Sequence, residues 1–219
     1  TTKCNMKCEF CYSKNARNGY VEINFNALKN FIKFNNLNIN AINYGTGENV
    51  LCNKWFDLID YIRGNFPMIQ QSLTTNGTVY QILQNKICYD IFNKAVDEVD
   101  ISLDYCDEHK HNITRGINTA YKGALNTIKM CKAMRKKVSI VCVALDKTFD
   151  EENLEGLIEI CKENDIFLRI NILRTSDKNY AGLSIKKLFS GLNYLFRNML
   201  VVSVSDVLIS ALYLNKKAI

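Results

Sequence analysis

Val138–Leu145 reads VSIVCVAL. It is almost continuously apolar and rich in β-branched residues, and it is far too short to span a bilayer. A strand with apolar side chains on both alternating sides expects cover on both faces, as in a parallel sheet flanked by helices. The segments around it fit that reading. Before it, residues 119–137 (TAYKGALNTIKMCKAMRKK) place Tyr121, Ala124, Ile128 and Cys131 on one helical face and end in a basic turn. After it, Thr148 and Glu151 form a capping-box pattern ahead of a helix bearing Leu154, Leu157, Ile158 and Cys161.

Further out, the alternation continues. IFLRINIL (166–173) reads as the next strand. Upstream, EVDISLD (98–104), QQSLTTNG (70–77) and NAINYG (40–45) read as strands. Between them, YQILQNKICYDIFNKAV (80–96) is predicted as helix in one or two pieces. NKWFDLIDYIRGNF (53–66) carries Trp55, Leu58, Ile59, Ile62 and Phe66 at helical spacing. Strand and helix alternate five times from about residue 40 to 198, which predicts an α/β fold of parallel strands with crossover helices, as a sheet or a barrel. In a parallel barrel the chemistry lies in the strand-to-helix loops. These are GTGEN (45–49), TNGT (75–78), DYCDEHKHN (104–112), LDKTFD (145–150) and RTSDKN (174–179).

One more loop stands ahead of the first predicted helix, NFNALKNFIKF (24–34). It holds Cys4, Cys8 and Cys11. Three thiolates cannot close a tetrahedral structural zinc site, which wants four ligands. They do suit a [4Fe-4S] cluster with one iron left open, thiolates being the usual protein ligands of such clusters. A zinc loop completed by a distant side chain, or a chance clustering, are the alternatives.

Composition narrows the class. The 219 residues are 47% apolar and 23% charged, enough for a sizeable core, and the net charge of +6 is spread without a basic block. Neither a nucleic-acid tail nor a membrane anchor is expected. The nine cysteines are odd in number and unevenly spaced, and all precede residue 162. A secreted disulfide scaffold is shorter and more regular. The expectation is a cytoplasmic protein whose six scattered cysteines behave mostly as small buried hydrophobes.

CNMKCEFCY (4–12) resembles the signature of the radical S-adenosylmethionine (SAM) enzymes, with Phe10 in its aromatic slot. NYGTGENVL (43–51) is similar to their Gly-Gly-Glu-Pro loop, with Thr46 for the first Gly and Asn49 for Pro. LTTNGT (73–78), VDISLDY (99–105) and TRGINTAYKGALNTIK (114–129) resemble later motifs in the right order. The resemblance covers about residues 2–175. It implies a partial (β/α)6 TIM-like barrel of parallel strands with outer helices, its first strand lying before Thr1 and so missing here. It implies a core over 1–180 and, over 181–219, a helical segment leading to an absent cysteine-rich extension with auxiliary clusters. SVSDVLISAL (203–212) carries that last likeness.

By this resemblance Cys4, Cys8 and Cys11 hold the cluster, whose open iron takes the amino and carboxylate groups of SAM. The sulfonium is then cleaved, and a 5′-deoxyadenosyl radical takes hydrogen from substrate. Phe10, Thr46, Gly47, Glu48, Asn76, Ser102, Asp104 and Arg115 become cofactor-binding candidates. Among them Glu48 faces the SAM ammonium, and Ser102 and Arg115 its carboxylate. Cys106 is the catalytic candidate, as a hydrogen-atom donor, against the ordinary role of a small polarizable loop residue. His109 and His111 are expected to be solvated. The closest branch modifies peptides and proteins, which implies a peptide or protein substrate and an electron donor such as flavodoxin or ferredoxin. A small-molecule enzyme, such as a molybdenum-cofactor cyclase, is the alternative.

Overall fold

The computed structural model describes residues 1–11, 13–14, 22–173, 183–198 and 202–204. The RTSDKN loop and most of SVSDVLISAL lie outside the described residues. Contacts gather the chain into two compact units, Thr1–Ser102 with Asn112–Val138, and Leu103–His111 with Ser139–Ile219.

The first unit alternates as expected. Asn24 caps helix α1 (Phe25–Asn35) by accepting the Ala27 N–H at 3.0 Å. Strand β1 (Ala41–Tyr44) leads to helix α2 (Asn53–Asn65), which buries Trp55, Leu58, Ile59 and Ile62 at the predicted spacing. Each such side chain contributes about 1.5–3 kcal/mol on leaving water. Strand β2 (Gln70–Thr75) pairs in parallel with β1 and with strand β3 (Glu98–Ser102). Between β2 and β3 the helical stretch is in two pieces, α3 (Val79–Ile82) and α4 (Lys86–Ala95). The break is at Asn85, whose side chain accepts the N–H groups of Ile87 and Cys88 and so starts a new helix.

The loop expected over 104–112 contains a helix, α5 (Glu108–Arg115). This corrects the reading of His111 as solvated: His109 is exposed, but His111, two residues on and so on another face, is fully buried. Gly116, at φ 69°, ends α5, and helix α6 (Ala120–Ala133) follows, burying Ala124, Ile128 and Cys131.

Strand β4 (Lys137–Ala144), in the second unit from Ser139 on, is buried along most of its length, as its apolar run demands. Helix α7 (Glu151–Asn164) buries Leu154, Leu157, Ile158 and Cys161, but its cap differs from the predicted box. Asp150 is the N-cap, accepting the Asn153 N–H at 2.9 Å. The buried Thr148 hydroxyl instead bonds back to the Val143 carbonyl at 2.6 Å, tying off the turn after β4. Strand β5 (Phe167–Ile172) pairs in parallel with β4 and with strand β6 (Val202–Val204), after helix α8 (Ile185–Asn198). The described part of 181–219 is therefore helix and strand rather than helix alone. Of the six scattered cysteines, Cys52, Cys131, Cys142 and Cys161 are buried and Cys88 and Cys106 half-buried. No helix among the described residues is long and apolar enough to cross a membrane.

Gly77, at φ 93°, turns the chain from β2 towards α3 and packs on α6, where an added Cβ would stand 2.6 Å from the Ala124 nitrogen and 2.8 Å from the Gly123 carbonyl carbon. Neither atom is the tip of a flexible side chain. Gly77→Ala is expected to destabilise the fold by about 2 kcal/mol or more, read as a lower urea midpoint with an unchanged m-value.

Candidate active site

The cysteine loop has no helix or strand hydrogen bonds of its own, so neighbouring segments must satisfy its backbone. On one side the Glu48 N–H donates to the Lys3 carbonyl at 2.7 Å. That approach needs Gly47, at φ 69°, where a Cβ would lie 2.5 Å from the Thr1 oxygen and 2.6 Å from the Lys3 oxygen. On the other side the Lys7 N–H donates to the Arg115 carbonyl at 3.0 Å and the Glu9 N–H to the Thr114 carbonyl at 3.4 Å. A Cβ at Gly116 would meet Lys7 at 3.1 Å. In the middle, the Asn5 amide donates to the Thr78 hydroxyl at 2.9 Å, and the Asn76 amide to Asn5 Oδ1 at 3.0 Å. Beneath, Met6, Cys8 and Ala120 form a small apolar cluster, with Cys4, Phe10, Cys11 and Ile117 packed against it. The sequence therefore brings all three cysteines and Phe10 to one place.

Two of the sulfurs receive N–H donors. Asn76 Nδ2 lies 3.6 Å from Cys4 Sγ, and Arg115 Nη1 lies 3.7 Å from Cys8 Sγ. The Arg115 guanidinium also stacks over the Phe10 ring, 5.3 Å from its centroid. None of the three cysteines is in a disulfide. Among the described residues no group of three or more His, Cys, Asp or Glu is gathered as the ligands of a metal ion. Cys4, Cys8 and Cys11 would hold a cluster rather than a single ion, and the cluster would supply one-electron chemistry there. An all-thiol donor set with N–H groups aimed at the sulfurs has the chemistry that an iron–sulfur cluster takes.

Glu48, in the loop after β1, is turned inward and fully buried. Its carboxylate accepts the Thr75 hydroxyl at 2.7 Å and the Asn76 N–H at 2.8 Å, locking the loop after β1 to the turn after β2. Burial pushes its carboxyl up to about 7, against the opposing Asn76 N–H, Thr75 hydroxyl and Arg115 charge. Thr46 is exposed. Asn49, in the family's Pro slot, is buried and reaches back to the Thr46 carbonyl at 3.4 Å. Ser102 is half-buried at the end of β3. Arg115 ends α5 and is buried. Asn5, Thr75 and Thr78 were not expected. Only the polar character of Asn5 between two cysteines, and the Thr pair around Asn76-Gly77, could have pointed to them.

Asp104 and Cys106 belong to the second unit. Asp104 is fully buried, its Oδ1 accepting the Val143 N–H at 3.0 Å, its own N–H donating to His111 Nδ1 at 3.3 Å. The Asn153 side chain ties this loop to α7: Nδ2 donates to the Asp104 carbonyl at 2.8 Å, and Oδ1 accepts the Cys106 N–H at 2.9 Å. The Cys106 thiol sits over Gly156 of α7, where a Cβ would meet Sγ at 2.5 Å. Burial pushes this thiol up, so it is held as S–H.

The raised carboxyl of Glu48 has a defined pH signature. A folded-state pKa above the ordinary 4.5 contributes stability that is full below that value and is lost as pH rises through about 7. The displacement corresponds to on the order of 3 kcal/mol. Glu48→Gln is expected to gain stability relative to wild type as pH rises from about 5 to about 8, measured by urea unfolding at each pH. A difference independent of pH would remove the buried carboxylate from the account.

The profile of the Radical SAM superfamily matches residues 1–161. A probable GTP 3′,8-cyclase of Archaeoglobus fulgidus is 28% identical over 161 residues, 73% of this chain and 51% of that protein. A second, from Pyrococcus horikoshii, is 25% identical over 154 residues, 69% of this chain and 47% of that protein. The chain thus spans about half the length of these relatives. Among solved structures, Streptococcus suis SuiB bound to its precursor peptide SuiA superposes with a TM-score of 0.77 at 16% identity, over 99% of this chain and 49% of that one. That likeness shows the fold, the partial-barrel α/β type expected from the sequence. The expected cofactors, a [4Fe-4S] cluster and SAM, are those of the matched family, and the motifs that drew the expectation lie inside the matched residues. With more than half its length matched, this chain belongs to the radical SAM superfamily.

Proposed function

We propose that this chain is the catalytic core of an enzyme that cleaves SAM reductively at a [4Fe-4S] cluster and takes hydrogen from a peptide or protein substrate. The observation that carries the first part is the cysteine loop itself: three cysteines outside any disulfide on one strapped loop, two of them facing N–H donors. Cys4, Cys8 and Cys11 would hold the cluster. When bound, the cofactor pair supplies the electron and the 5′-deoxyadenosyl group that accepts substrate hydrogen.

The chain's own residues do the positioning. Gly47 and Gly116 seat the loop, and Phe10 covers one side of it. Glu48 has one partner on each oxygen and a second lone pair on each, so it can accept the SAM ammonium as a charge-assisted contact. A cation there would relieve the burial of its charge. Thr46 and Gly47 offer backbone beside it, and Ser102 and Arg115 are the candidates for the SAM carboxylate. Asp104 is assigned to bracing β4 within its own unit rather than to the cofactor.

The peptide reading is supported by the branch resemblance of the sequence and by the superposition on peptide-bound SuiB over 99% of the chain. The second reading, a small-molecule cyclase, is favoured by the identity to the archaeal GTP 3′,8-cyclases. A reducing compartment and a flavodoxin or ferredoxin as one-electron donor accompany either reading.

Anaerobic reconstitution is expected to give a brown protein with about four irons per chain, which forms 5′-deoxyadenosine on reduction with SAM present. Cys4→Ala, Cys8→Ala and Cys11→Ala are each expected to drop that product to background. A colourless, zinc-loaded protein would overturn the reading. With deuterated candidates, label entering 5′-deoxyadenosine from a short precursor-type peptide supports the peptide reading, and label entering from GTP supports the cyclase.

Cys106 has its own test. Its seat over Gly156 makes it a packing residue, so Cys106→Ala is expected to leave substrate product unchanged. Loss of that product with SAM cleavage intact would make it the hydrogen-atom donor.

A further inference from the structure

We infer that Arg115 sets the redox potential at the cysteine loop, acting through the Cys8 sulfur before any SAM is bound, with Asn76 as a weaker counterpart on Cys4. The inference rests on the reading that Cys4, Cys8 and Cys11 hold a cluster.

Three features of the geometry carry it. First, the donor is charged and dry: Arg115 and Cys8 are 6% and 7% exposed, with Nη1 3.7 Å from Sγ. Second, the guanidinium packs against one ring and the backbone that carries it is fixed on both sides. Phe10 lies against its face, its own carbonyl takes the Lys7 N–H, and Gly116 turns the chain directly after it. Asn112 clips the end of α5 to the start of α6, donating to the Asn118 carbonyl at 2.8 Å and accepting the Tyr121 N–H at 2.9 Å. Third, the Asn76 amide cannot flip. Its Oδ1 accepts the Thr78 N–H at 3.0 Å and the Thr78 hydroxyl at 2.6 Å, which turns Nδ2 towards Cys4 Sγ.

One electron entering a thiolate-held cluster adds a negative charge in a low-dielectric setting. Donors to the sulfurs favour the reduced form and raise the potential. A charge-assisted donor is roughly twice as strong as a neutral one, so Arg115 outweighs Asn76. This role differs from gripping the SAM carboxylate, which has no effect while SAM is absent.

The test is the midpoint potential of the reconstituted, SAM-free chain, poised anaerobically with dithionite and mediators and read by EPR as one electron per cluster. Arg115→Met is expected to shift the midpoint to a more negative value, Arg115→Lys to recover most of that shift, and Asn76→Ala to give a smaller shift of the same sign. Arg115→Met with full iron and an unchanged midpoint overturns the inference, the more so if SAM affinity falls instead. Should Arg115→Met take up no iron, Arg115→Gln, neutral and of similar length, takes its place, and unchanged midpoints in it and in Asn76→Ala overturn the inference equally. Wild-type protein that takes up no iron defeats the cluster reading itself, a result distinct from any variant's midpoint.

Discussion

The backbone of residues 3–9 makes its key hydrogen bonds to other segments. Glu48 N–H reaches the Lys3 carbonyl on one flank, and Lys7 N–H reaches the Arg115 carbonyl on the other. A typical hydrogen bond is worth about 0.5–1.5 kcal/mol net, but a buried group left unpaired costs about 1–3 kcal/mol. The straps therefore matter less for what they add than for what their loss would expose. Both depend on a glycine at positive φ, Gly47 and Gly116, because a Cβ at either would sit against the loop. Gly47 and Gly116 thus make room for the cysteine loop itself.

The same straps arrange charge. Arg115 is delivered to Cys8 by the short helix α5, and its charge also acts on Glu48. One buried guanidinium thus serves a carboxyl and a sulfur together. For Glu48 the Coulombic help is too small, since desolvation is the larger cause and leaves the carboxyl raised to about 7. A carboxyl so placed, with two fixed donors, is incompletely compensated until another cation arrives. Burial of this kind is common where a protein prepares a site for a charged ligand.

The fold was legible where one physical demand dominates. VSIVCVAL could only be a strand covered on both faces, and Trp55, Leu58, Ile59 and Ile62 could share a face only in a helix. Legibility failed where two residues compete for one role. Asp150 displaced Thr148 as the cap of α7, because the Asp carboxylate stands the right distance from Asn153 N–H while the Thr148 hydroxyl is drawn back to Val143. It failed again at 104–112, a polar stretch that reads as loop yet closes into α5, where buried His111 meets the Asp104 N–H. In the site, the residue types and their gathering could be read ahead, since the cysteines, Phe10, Glu48, Asn76 and Arg115 do assemble. Their partners could not. Motif spacing says nothing of whether Glu48 points at a ligand or at Thr75.

The residues placed around the cysteine loop run from Cys4 to Arg115, all inside the stretch matched by the superfamily. Their observed partners are one another: sulfur, buried charge and loop backbone. None carries a feature that separates a peptide from a nucleotide, since a buried Glu48 and a buried Arg115 offer nothing to a substrate's distinguishing groups. One fold hosts many chemistries through the site grafted on it, so the choice of substrate has to be made by other side chains. The second unit is built differently at the corresponding place, where Asn153 binds the Asp104 and Cys106 backbone to α7. That hub ties the segment after β3 to α7 within its own unit.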